Sequence, residues 1–250
     1  MEVAVFLGAG CSFGIETIKE IVKIYDKVYL LESEMYFSEL ENDILPIKKQ
    51  FKSKHFELLK VDVTKVNNFT SEIINIEKAG DEITTFVYAA GLNILTPALN
   101  VTEEIWDQIN HINLKGFFFC AKDIINHMLL HKLEGNIVAI SSQHGVVANI
   151  NRAPYCASKA GLIHLVKELA LEFAEYGINI NLVSPSFILS RKNSNFLLSS
   201  KIKRELLNKT PQRKYVTPQN VAKAISFLIK KDTKGITGIN LLVDGGWTIQ

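Results

Sequence analysis

The chain has 250 residues, 47% of them hydrophobic and 22% charged, with a formal net charge of +2. This composition fits one globular unit with a sizeable core and excludes a disordered chain. The charge is too small to indicate nucleic acid or an anionic membrane as partner, and no run approaches the roughly eighteen apolar residues of a membrane helix.

The opening MEVAVFLGAG lacks the basic leader and cleavage site of a signal peptide. Cys11, Cys120 and Cys156 are too widely spaced for a disulfide framework or a zinc site. They read as free thiols in a reducing compartment, an expectation of cytoplasmic location.

The first predicted strand, Val3–Leu7, runs into Gly8-Ala9-Gly10-Cys11-Ser12-Phe13-Gly14 and then a helix over Gly14–Tyr25. Glycines here let the backbone turn tightly and approach a pyrophosphate, whose charge a helix N-terminus favours. The second strand, Lys27–Glu32, ends with Glu32 eighteen residues after Gly14. A carboxylate at this strand end accepts hydrogen bonds from adenosine ribose hydroxyls and repels a 2′-phosphate. Neither Cys11 nor Ser33 supplies a compensating base, so the pattern favours NAD over NADP; the alternative is that Glu32 is a solvated strand end. The third strand, Phe56–Val61, leads to Asp62, placed to reach an adenine edge, and to a helix over Val66–Lys78.

Strands at Thr85–Ala89, Asn136–Ser141, Asn179–Val183 and Ile239–Val243 then alternate with helices over Glu103–His131, Pro154–Tyr176 and Pro218–Lys230. Runs such as FVYAA and NIVAIS lack polar alternation, as expected of strands covered on both faces. The alternation predicts a single doubly wound, Rossmann-like α/β domain over 1–250, with a parallel sheet of about seven strands. Only Ser184–Val216 breaks the rhythm, and the part near 186–216 is expected to be a substrate-binding lid. Its Lys and Arg residues, from Arg191 and Lys192 to Lys214, read mostly as a solvated face. The sharper alternative is an anionic substrate or an acidic carrier protein.

Within SSQHGVVANINRAPYCASK (141–159), Tyr155 and Lys159 stand four apart at a predicted helix start and project from one face. An unperturbed tyrosine, with a pKa near 10, is a poor base at neutral pH. An ammonium ~4 Å away contributes ~4 kcal/mol at an effective dielectric of ~20. That lowers the phenol's pKa by about two to three. Lys159 is therefore expected to acidify Tyr155 and make it a proton acceptor.

In order and spacing these motifs resemble the short-chain dehydrogenase/reductase family, in its compact branch, over essentially the whole chain. The family's Thr-Gly-x-x-x-Gly-x-Gly turn falls on Leu7, Gly8, Ser12 and Gly14, and Asp62 matches its adenine-contacting acid. YAAG (Tyr88–Gly91) stands where the family has Asn-Asn-Ala-Gly. INLKG supplies Asn113, ISS supplies Ser142 and YCASK supplies Tyr155 and Lys159. SPSFILS (Ser184–Ser190) is similar to the family's Pro-Gly segment over the nicotinamide, and LVDGGW closes the pattern. The departures are Leu7 for a hydroxyl residue, Ser12 for glycine, Tyr88-Ala89 for the paired Asn, and Ser186 for the glycine after Pro185. The Ser12 side chain is expected to narrow the pyrophosphate approach, with Gly10 restoring some freedom.

The resemblance implies an NAD-dependent oxidoreductase interconverting a secondary alcohol and a ketone. In it Ser142 holds the substrate oxygen, Tyr155 moves the proton, Lys159 holds the nicotinamide ribose and Asn113 positions a water linking Lys159 to solvent. The implied cofactor contacts are Gly8, Gly10, Ser12, Phe13, Gly14, Glu32, Asp62, Val63, Ala90, Gly91, Tyr155, Lys159, Pro185, Ile188 and Ser190, the last reaching the carboxamide. No metal is implied. Asn93, Gln143, His144, Asn149 and Asn151 sit at positions that face substrate in the family, and these amides favour a polar alcohol such as a sugar, cyclitol or hydroxylated ring acid. The alternative makes them solvated loop residues and His144 a structural histidine. The family pairs the helices Glu103–His131 and Pro154–Tyr176 across subunits. Phe117–Phe119, Leu162, Leu165 and Val166 there are read as surplus apolar surface, which points to a homotetramer or homodimer. Two rival readings are a 3-oxoacyl-carrier-type ketoreductase and a non-catalytic nucleotide-sensing or scaffold protein.

Overall fold

Successive residues of a strand face opposite sides of a sheet, and here both sides are apolar. In β1 (Glu2–Leu7), Val3, Val5 and Leu7 enter one core while Ala4 and Phe6 enter another. The computed structural model describes residues 1–191 and 193–249; Lys192, one of the lid cations, lies outside the described residues. β1, β2 (Lys27–Glu32), β3 (His55–Lys60), β4 (Glu82–Tyr88), β5 (Gly135–Ile140), β6 (Ile178–Pro185) and β7 (Asn240–Val243) form a seven-stranded parallel sheet. Its order is β3-β2-β1-β4-β5-β6-β7.

Helices cover both faces. α1 (Gly14–Ile21), α2 (Glu34–Gln50) and α9 (Pro218–Leu228) pack on one through Ile18, Leu40, Ile44 and Ile225. α3 (Val66–Lys78), α5 (Gly116–Leu130) and α6 (Ala153–Phe173) pack on the other through Phe69, Phe117, Ile124 and Val166. The chain builds β1 to β3 outward in one direction and then returns to place β4 beside β1. That reversal opens a crevice at the carboxyl ends of the strands, the usual ligand position in open α/β sheets.

Several elements differ from the sequence reading. α2 was not foreseen. The long helix over Glu103–His131 is α4 (Glu103–Asn110), a π turn over His111–Lys115, and α5. The lid is not irregular: it holds α7 (Ser194–Leu197) and α8 (Ser200–Asn208), which bury Leu197 and Leu206 against Trp247. Phe117, Leu162 and Val166 are not surplus surface but members of the intramolecular core, each wholly buried. None of the three cysteines is in a disulfide. Among the described residues no helix is long and apolar enough to cross a membrane.

Candidate active site

The glycine turn is built by steric necessity. Gly8 has φ +80°, and a Cβ there would lie 2.5 Å from the Ala90 nitrogen after β4. A Cβ on Gly14 would lie 1.8 Å from the Ala9 carbonyl oxygen, so only glycine lets the turn close onto α1. Ser12 takes no positive φ, and it lines the cleft without backbone strain. The replacement of glycine at this position therefore leaves the turn intact.

Glu32 is not a solvated strand end. It is buried, one carboxylate oxygen accepting from the Gly10 N–H at 2.8 Å and the other from the Ser33 N–H at 2.8 Å. A Cβ on Gly10 would meet the Glu32 carboxylate at 2.9 Å. The negative charge is thus locked against the glycine turn. Asp62 lies beyond β3, more exposed, its carboxylate accepting from the Thr64 hydroxyl and N–H; that hydrogen bond holds it below the usual carboxylate range. Val63 sits next to it and packs on the core edge near Gly116.

Asn113 lies in the π turn, fully buried. Its carboxamide accepts from the Leu92 N–H at 2.7 Å and donates to the Leu92 carbonyl at 2.9 Å and the Ser158 hydroxyl at 3.0 Å. Ser158 in turn donates to the Tyr155 carbonyl. Asn113 therefore ties the segment after β4 to the first turn of α6. Tyr88, standing where the family has asparagine, donates its hydroxyl to the Ile112 carbonyl at 2.5 Å inside the same π turn.

Ser142, Tyr155 and Lys159 line one cavity of about 410 Å³ at the carboxyl ends of the strands. Ser12, Phe13, Gly91, Asn93, Pro185 and Ile188 also line it. Ser142 is extended at the end of β5, its hydroxyl accepting from the His144 N–H at 3.1 Å. The Lys159 amine donates to the Ile140 carbonyl at 2.7 Å and stands 5.9 Å from the centre of the Tyr155 ring.

The electrostatics differ from the expectation that Lys159 acidifies Tyr155. Burial pushes the Tyr155 phenol up from its ordinary value, opposed by a hydrogen bond with Ser142 and by the charge of Arg152. Lys159 plays no resolved part in that balance. Its own pKa is lowered to about 7 by burial, because the amine is fully enclosed and met by a carbonyl rather than a carboxylate. The cation acting on the phenol is Arg152, which the sequence reading passed over.

Beside these side chains, Gln143 and His144 are buried, with the Gln143 Oε1 and both His144 ring nitrogens lacking a hydrogen-bond partner among the described residues. Burial lowers the His144 pKa to about 4, so its ring is neutral; it stands edge-on to Tyr155 at 6.5 Å. Asn149 is not brought to the cavity: its side chain accepts from the Ile150 N–H and closes its own loop. Asn151 takes a left-handed backbone, φ +60°, and its carbonyl accepts from Thr96. The described lid cations also stay away: Arg191 pairs with Asp43 on α2, and Arg213 donates to carbonyls at the end of α8.

A dinucleotide fits this arrangement. The glycine turn brings Ser12 and Phe13 to the cavity at the N-terminus of α1, where a pyrophosphate is favoured, and the buried Ser190 hydroxyl, beyond Ile188, has no hydrogen-bond partner among the described residues. Ala90 and Gly91 follow β4, and Gly91 passes beside the Lys159 amine, where a Cβ would stand in ordinary contact at 3.6 Å.

Comparison with known proteins agrees. A family model described as Enoyl-(Acyl carrier protein) reductase matches residues 34–248. The chain is 32% identical over 212 residues to an NAD-dependent glycerol dehydrogenase of Listeria innocua, covering 85% of this chain and 83% of that protein. It is 37% identical over 177 residues to a 3-oxoacyl-(acyl-carrier-protein) reductase of Rickettsia bellii, covering 71% and 72%. The fold matches that of a 4-hydroxyisoleucine dehydrogenase solved with NADH, with a TM-score of 0.89 at 24% identity over all of both chains. With its Ser-Tyr-Lys cavity, glycine turn and these relatives, the chain belongs to the short-chain dehydrogenase/reductase family, as an NAD(P)-dependent oxidoreductase acting on CH–OH groups.

Proposed function

We propose that the protein interconverts a small, polar secondary alcohol and its ketone, with NAD rather than NADP as cofactor. The observation that carries this reading is the convergence of Ser142, Tyr155 and Lys159 on one cavity, with a buried carboxylate at the glycine turn. The bound dinucleotide supplies hydride transfer. Ser142 holds the substrate oxygen and steadies its developing charge. Tyr155 takes the hydroxyl proton in oxidation and returns one in reduction. Its raised pKa keeps it a neutral acid, suited to protonating a ketone; oxidation draws on the Ser142 hydrogen bond and the Arg152 charge to favour the phenolate. Lys159, poised near 7, accepts or gives a proton at neutral pH, and Asn113 holds the nearby backbone that shapes its surroundings.

Glu32 supports NAD, since its fixed charge opposes a 2′-phosphate, and the Listeria innocua relative is NAD-dependent by name. The second reading, a carrier-linked ketoreductase, has the Rickettsia relative in its favour. The discriminating experiment follows absorbance of the reduced cofactor over a panel of polar alcohols, apolar alcohols and 3-oxoacyl thioesters with each dinucleotide. Turnover of polar alcohols with NAD is expected; NADPH-dependent thioester reduction alone would replace this reading with the second.

The protein is further proposed to work as a homodimer or homotetramer. Phe118 and Leu165 remain partly exposed in a groove between α5 and α6, beside Leu114. A single-chain mass by light scattering at micromolar concentration would contradict this.

A further inference from the structure

We infer that Arg152 is the specificity-determining residue of the substrate site, and that with His144 and Gln143 it selects a hydroxylated carboxylic acid. The inference rests on the alcohol–ketone reading above and names the substrate class for the same cavity.

The charge inventory of the cavity is one-sided. Among the described residues its lining includes two basic side chains, Arg152 and Lys159, and no carboxylate. The Lys159 amine is directed at the Ile140 carbonyl. Arg152 makes one described hydrogen bond, from a terminal nitrogen to the Ile150 carbonyl at 3.1 Å, and no ion pair among the described residues. Its Nε is buried without a partner among the described residues. A guanidinium offers five N–H donors in a planar fork that matches a carboxylate. Half-buried cations are normally paired, and an unpaired one in a cleft is a site waiting for its anion.

The neighbours refine the ligand. His144 is almost wholly buried, with neither ring nitrogen paired among the described residues, so its neutral ring has one donor and one acceptor to offer. Gln143 is likewise buried, and its unpartnered Oε1 accepts only. A carboxylate satisfies the Arg152 fork and the imidazole N–H. A hydroxyl on the same molecule donates to Gln143 Oε1. A purely apolar alcohol would leave all of these groups unpaired in a buried place, which is how such sites reject the wrong ligand. Asp and Glu are absent from the described lining, so no side chain there competes for Arg152.

The test compares short 2-, 3- and 4-hydroxycarboxylates with their matching carboxamides, which keep shape and remove charge, by kcat/KM with NAD. Calorimetric binding of butyrate and butyramide to the enzyme–NADH complex gives a second readout independent of turnover. The wild type is expected to favour the acid over the amide by roughly 10- to 100-fold, mostly through KM. In Arg152→Gln that ratio is expected to fall towards one, and in Arg152→Lys to recover in part. NADH binding by each variant shows that it is folded. Equal use of acid and amide by the wild type, or a ratio unchanged in Arg152→Gln, would overturn the assignment; so would a preference for phosphorylated alcohols. Turnover of neutral alcohols without any preference for acids would sink this inference alone. No alcohol turned over at all, acid or neutral, would sink the underlying dehydrogenase reading as well.

Discussion

Lys159 stands in an environment far from its ordinary chemistry. Its folded-state pKa is about 7 against 10.5 for the free side chain. Between those values the unfolded chain carries a proton that the folded chain does not, so stability rises with pH across that window by ~1.36 kcal/mol per pH unit. Chemical unfolding of the cofactor-free enzyme at pH 7 and pH 9 is therefore expected to show a gain of about 2–3 kcal/mol that Lys159→Met lacks. Equal pH dependence in the two proteins would contradict a buried amine met by a carbonyl and no carboxylate. That Ser142, Tyr155 and Lys159 share one cavity was legible from the order and spacing of their motifs together with the family resemblance. Their electrostatics were not, because a pair distance assumed from helical spacing says nothing of where a long side chain ends. The amine turned to the Ile140 carbonyl, and Arg152, three residues before the tyrosine, became the charge that acts on the phenol.

At the scale of elements, the π turn between α4 and α5 does the positioning. It presents Asn113 to Leu92 and Ser158 and leaves the Ile112 carbonyl to the Tyr88 hydroxyl. Tyr88→Phe would strand that carbonyl in the core, at a cost of about 1–3 kcal/mol by denaturant unfolding; an unchanged midpoint would show that the bond contributes nothing. A continuous apolar pattern hid this turn, since one inserted residue does not interrupt hydrophobicity. α2 was hidden differently: Phe37, Leu40, Ile44 and Ile47 have helical phase, but Pro46 inside the helix is a residue that normally ends one. The cluster of Glu77, His127 and His131 has metal-like spacing. His127 Nε2, however, accepts the Ile83 N–H at 2.9 Å, which puts the ring proton on Nδ1, facing Glu77 at 2.8 Å. That histidine clamps α3 and α5 to β4.

Over the whole molecule, the two-sided sheet and the reversal between β1 and β4 bring residues from Gly8 to Ser190 to one edge. That architecture was readable, because strand–helix alternation with unpolarised strands admits few other folds. The cradle around substrate was readable only in part: Asn93, Gln143 and His144 reach the cavity, whereas Asn149 folds into its own loop. The chemistry proposed for that edge depends on Tyr155 as its proton-transfer group. Its most direct test is the turnover of Tyr155→Phe on any alcohol the wild type oxidises, with NADH affinity measured in parallel. A fall in kcat of about 10²- to 10⁴-fold with NADH binding retained is predicted; turnover near the wild-type rate would contradict it.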